Sequence, residues 1–166
     1  MNLELPSNAP KTSGEAFAYL GKLVNGATID DLKILALTEA IGERLYEEMA
    51  EGTDVPEVKQ ILLNNGREEL VHAHRVSEAI EILSGKPFVI PPIDQNPLYT
   101  SLGPLPVTRA SLTKLAEGEF NGQALYAGVA SSFDDPRAIA LFHLNGTEEA
   151  GHGAQLLKAA NLLPPD

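Results

Sequence analysis

Glu68-Glu69-Leu70-Val71-His72 recurs 80 residues later as Glu148-Glu149-Ala150-Gly151-His152, two glutamates with a histidine three residues after the second. Thirty residues before each Glu-x-x-His stands a further glutamate, Glu39 for the first copy and Glu119 for the second. Laying 39–84 on 119–164 without a gap gives 14 identities in 46 positions. Gly42/Gly122, Tyr46/Tyr126, Asp54/Asp134, Pro56/Pro136, Asn65/Asn145 and Gly66/Gly146 are among them. The chain contains an internal repeat, and both halves carry the same chemically active residue types.

Working outward from each copy gives helices. Thr28 with Asp31 forms a capping-box pattern, so a long helix is expected from about Ile29 to Gly52. Asp54-Val55-Pro56 reads as a cap followed by a first-turn proline, opening a second helix that ends near Ser84-Gly85. Thr108 or Ser111 can cap a third through about Ser131. Asp134-Asp135-Pro136 repeats the opening signal for a fourth, which fades at Leu162-Leu163-Pro164. Residues 1–27 read as an arm with a short helix over Gly14–Val24, and 28–166 as the bundle. Residues 85–108 hold six of the twelve prolines and cannot be helical throughout. A link of that length can run along a bundle and make the second and third long helices parallel. The fold class expected is all-α, a four-helix bundle with a long crossover in which only Phe88-Val89-Ile90 could pair locally as a strand.

Composition agrees with helices. Apolar residues make up 43% of the 166-residue chain and aromatics only 5%, so aliphatic side chains and alanine must fill the core. No cysteine is present, which removes disulfides, thiolate metal ligands and thiol catalysis within these residues. A net charge of −11 argues against nucleic acid and anionic membrane as partners. With no basic, hydrophobic leader pattern and no long apolar run, a soluble cytoplasmic protein is expected.

The spacing carries chemistry. Glu39 and Glu69 lie 15 residues either side of Asp54, and Glu119 and Glu149 lie 15 either side of Asp134. At about 1.5 Å rise per residue, each hairpin brings its two glutamates to one level, about 22 Å from the turn. His72 and His152 join from the same helical face. These positions fall on the apolar stripes Leu32-Leu35-Glu39-Gly42-Tyr46-Met49 and Leu62-Glu69-His72-Val76-Ala79-Leu83. Four inward carboxylates in one layer are costly unless neutralised. Two divalent cations would balance them, with Glu39, Glu69, His72, Glu119, Glu149 and His152 as a mixed oxygen and nitrogen ligand set.

That pattern, a Glu from each of two helices and a Glu-x-x-His from each of two others, resembles the ferritin-like diiron-carboxylate proteins, and rubrerythrins in particular. The resemblance covers about residues 28–163. It implies Glu39 and Glu119 as terminal ligands, Glu69 and Glu149 as bridging ones, and one histidine per metal. Tyr46 and Tyr126 would donate hydrogen bonds to the carboxylates. It further implies two iron ions, although manganese or zinc also suits such ligands. The implied function is oxidation of Fe(II) with reduction of hydrogen peroxide or dioxygen, drawing on an external electron donor, in a homodimer. Two features depart from rubrerythrins: Gly122 stands where they usually carry a further glutamate, and these 166 residues hold no cysteine of the kind that ligates iron in the rubredoxin domain rubrerythrins commonly carry. The alternatives are a non-catalytic iron-handling protein, or a structural or interaction bundle whose site is vestigial or filled with zinc.

Other residues receive expectations of their own. Glu68 and Glu148 should face solvent or back up the ligands, and His74 and His143 should lie on the surface. Tyr19 and Tyr99 have no assignable role. Gly66 and Gly146 either allow close helix approach or are an inherited irregularity, and Asn65 and Asn145, one turn before the bridging glutamates, are expected to orient ligands. Gly42 and Gly122 are expected to leave a small void, large enough for dioxygen or peroxide.

Overall fold

A computed structural model describes residues 3–101, 103 and 105–165. Five α-helices form, and no strand occurs among the described residues. They are α1 (Ser13–Leu20), α2 (Ile29–Glu51), α3 (Pro56–Ser84), α4 (Arg109–Ala130) and α5 (Pro136–Asn161). The chain is an all-α bundle.

The helix ends follow local chemistry. Thr28 and Asp31 exchange hydrogen bonds as a full capping box at the start of α2, and Thr108 with Ser111 does the same for α4. Gly85 closes α3 in the left-handed region (φ 70°), where glycine carries no Cβ penalty. One expectation is corrected. Val55 is the cap of α3 and offers no side-chain bond, because Pro56 takes the first helical position and pushes Asp54 one place too far out. In the other half the same register puts Asp135 at the cap, where it accepts from the Arg137 N–H at 2.9 Å. The N-terminal helix is also shorter than expected: it stops at Leu20, and a 3-10 turn covers Leu23–Asn25.

The short links make α2/α3 and α4/α5 antiparallel hairpins, and α3 packs against α5. Asn65 bonds to the backbone of His152 and Asn145 to that of His72, so α3 and α5 run antiparallel, and α3 therefore runs parallel to α4. Phe88-Val89-Ile90 forms no strand. Proline rigidity turns the crossover into irregular chain with one 3-10 turn, Ile93–Gln95. It lies along α2: Asn96 donates to the Leu37 carbonyl at 2.8 Å, and Leu98 is buried. Tyr19 donates to Asp31 and Tyr99 to Glu48, so two tyrosines without an evident role in the sequence fasten α1 and the crossover to α2.

The core divides into apolar clusters. One is built on Leu32, Leu35, Val76, Val129 and Phe142, and another on Met49, Val58, Leu62, Leu112 and Leu156. The glutamates and histidines of the repeat lie between these two clusters along α2 to α5. No helix is long and apolar enough to cross a membrane among the described residues.

Candidate metal centre

Glu69 and His72 enter from α3, Glu149 and His152 from α5, and all four are buried. Each offers one ligand atom within 4.8 Å of the others, an arrangement that could hold a metal ion. His72 Nδ1 stands 2.9 Å from Glu149 Oε1, and His152 Nδ1 stands 2.9 Å from Glu69 Oε1. The far nitrogens are already engaged: His72 Nε2 meets Glu148 at 3.0 Å, and His152 Nε2 meets Glu68 at 2.9 Å. An ionised carboxylate only accepts, so in each pair Nε2–H is the donor and Nδ1 carries the lone pair. His72 Nδ1, His152 Nδ1 and Glu69 Oε1 are then buried with no hydrogen-bond partner. Buried polar atoms left bare each cost roughly 1–3 kcal/mol. Buried nitrogen and carboxylate oxygen atoms that converge in this way fit a cation.

Glu39 and Glu119 flank this group. Tyr126 donates to Glu39 Oε1 at 2.6 Å and Tyr46 donates to Glu119 Oε1, each tyrosine holding a glutamate from the other half. Glu119 Oε2 also lies 3.8 Å from His152 Nδ1. Burial, followed by the charges of the neighbouring glutamates, pushes Glu69 and Glu149 well above the ordinary carboxylate range. Burial alone would raise Glu119 too, but the neighbouring His152, followed by Glu149 and the Tyr46 hydroxyl, holds it below its usual value. Burial pulls His72 down, and it opposes the rise at His152, which bonding and charge from Glu119 and Glu68 carry above the ordinary imidazole value.

No family model, curated protein or solved structure matches the chain significantly. The site therefore rests on its own geometry.

Glu68 and Glu148 prove to be the partners of the histidines, and each reaches the histidine of the opposite half. Arg75 joins one side alone: it pairs with Glu148 and donates to Asn145 Oδ1 at 3.1 Å. Asn65 and Asn145 donate to the backbone carbonyls of His152 and His72, at 3.5 and 3.3 Å, and Asn145 also to the Tyr126 hydroxyl at 3.1 Å. They tie α3 to α5 rather than touching the glutamates. Gly66 and Gly146 do allow close approach: a Cβ there would stand 2.9 Å and 3.1 Å from Cβ of Tyr46 and Tyr126. Gly42 and Gly122 do line open space beside the carboxylates, a cavity of about 680 Å3 between α2 and α4, although the position of a Cβ itself is taken by a glutamate. A Cβ would meet Glu69 Cγ at 3.1 Å and Glu149 Oε2 at 2.9 Å, so these glycines make room for the carboxylates themselves. His74 and His143 are exposed.

Proposed function

We propose that this chain is a dinuclear metal-carboxylate protein of ferritin-like, rubrerythrin-like type that oxidises Fe(II) and reduces hydrogen peroxide or dioxygen. The observation that carries the proposal is the set of buried, unpartnered atoms facing one another: Nδ1 of both histidines and Oε1 of Glu69. Glu39, Glu69, His72, Glu119, Glu149 and His152 would hold the ions. Bound iron would supply the one-electron redox chemistry.

The chain's own residues prepare that centre. Glu68 and Glu148 fix the imidazole tautomers, keeping each Nδ1 lone pair directed inward. Tyr46 and Tyr126 hold Glu119 and Glu39 by hydrogen bonds, and the raised values of both tyrosines, due first to burial, keep them protonated as donors. The apolar clusters above and below the layer lower the dielectric there and strengthen the charge interactions within it. With no cysteine in the chain, reducing equivalents would come from outside it.

One observation favours a second reading. Gly122 leaves no side chain, and no room for one beside Glu149, where rubrerythrins carry a further ligand. A zinc-filled site that only staples the bundle would need none. Purified untagged protein should contain about two transition-metal ions per chain, and His72→Ala with His152→Ala should abolish that content. Loss of thermal stability on chelation, with no spectral response of the ferrous form to peroxide, would select the stapling role.

A further inference from the structure

The carboxylate layer is open on one side. A cavity of about 680 Å3 lies where α2 faces α4, and Glu39, Glu69, Glu119 and Glu149 form its floor. Its walls are apolar: Phe17, Leu20 and Val24 from α1 and the turn after it, Leu45 from α2, and Leu115 and Leu125 from α4. That volume is in the range of pockets that enclose small organic ligands and far exceeds what dioxygen or peroxide requires. None of the described residues lining it is Lys, Arg or His. An anionic ligand would meet four carboxylates and no side-chain cation. A polyhydroxylated one would find side-chain acceptors at the carboxylate floor and at Asn121 but none along the apolar walls, and both tyrosine hydroxyls are already given to Glu39 and Glu119.

We propose that this cavity binds a neutral, largely aliphatic molecule with one end against the glutamate layer. Any chemistry on that molecule rests on the metal reading above, whereas its binding does not.

The test uses 1-decanol and decanoate, which share an alkyl chain and differ in charge, titrated by calorimetry into the purified protein after chelation, so that no bound ion can ligate the carboxylate. Decanol should bind at least about tenfold more tightly than decanoate, a factor that follows from burying a carboxylate without a cationic partner. Gly118→Leu fills the cavity from α4. A Cβ there meets nothing within 4 Å, and leucine is the better helix former, so the variant should fold and lose decanol binding. Leu115→Lys adds the missing cation to the wall and should turn the preference toward decanoate. No decanol binding, equal binding in Gly118→Leu, or a wild-type preference for decanoate would overturn the assignment. So would a dimer that Gly118→Leu dissociates without any decanol binding, because a second copy would then cover this face. Metal content measured on the same protein before chelation separates the two claims. Decanol binding without metal sinks the metal reading alone, and about two ions per chain without decanol binding sinks this one alone.

Discussion

Arg75 has no counterpart in the repeat, because Gln155 stands at the matching position. Glu148 is therefore shared between Arg75 and His72, while Glu68 serves His152 without such a competitor and is more exposed, at 55% against 29%. A histidine whose far N–H donates to an uncompensated carboxylate is the more basic ligand. The position served by His152 should accordingly bind metal first, and Arg75→Gln should narrow the gap between two resolvable steps in a metal titration. Glu68→Ala should weaken one of the two ions by about 10–100-fold and leave the other nearly unchanged; equal weakening of both would contradict the cross-paired arrangement. The six ligand candidates were legible in the sequence because the repeat shows each residue type twice at one spacing. The partnership of Glu68 and Glu148 with histidines was not, since each reaches across to the other half and linear spacing does not record how α3 lies on α5. The void expected at Gly42 and Gly122 is present but far larger than one for dioxygen or peroxide, and it lies beyond the Glu69 and Glu149 side chains that pack against these glycines, a path the sequence does not record.

Among the helices, close approach outweighs helix propensity. A Cβ at Gly66 would stand 2.9 Å from Tyr46 Cβ and 3.2 Å from the Glu43 carbonyl oxygen, and neither backbone nor Cβ can easily give way. Gly66→Ala should therefore destabilise the protein by about 1–3 kcal/mol, although alanine is the better helix former. Gly151 is the control, lying exposed in α5 with nothing within 4 Å of an added Cβ, so Gly151→Ala should stabilise by about 0.5–1 kcal/mol. Urea unfolding of the two variants checks both signs. Element existence was readable from caps and apolar stripes; the capping box at Thr28 stands where the sequence puts it, and of the two caps offered for α4, Thr108 is the one used, with Ser111 completing a capping box. The start of α3 was misplaced by one residue, because a proline and a cap compete for adjacent positions and only the backbone resolves which wins.

At the scale of the molecule, the charge layer links stability to pH and to metal. Glu69 and Glu149 are raised by burial and by the other glutamates, so between their unfolded and folded values the folded chain binds more protons than the unfolded one. Stability contributed by these groups therefore falls as pH rises through that window in the metal-free protein. Bound cations would remove the repulsion, and at low pH a proton competes for His152 Nδ1, which is held above its ordinary value. The difference in Tm between metal-loaded and chelated protein should grow from about pH 5 to about pH 8; a constant or shrinking difference would show that the glutamate layer is not the metal site. The most direct measurement is metal content by plasma mass spectrometry on untagged protein, followed by the optical spectrum of the ferrous form after peroxide is added. The account predicts about two irons per chain and a new near-ultraviolet absorption. Protein that holds no transition metal, even after reconstitution with Fe(II), would contradict it.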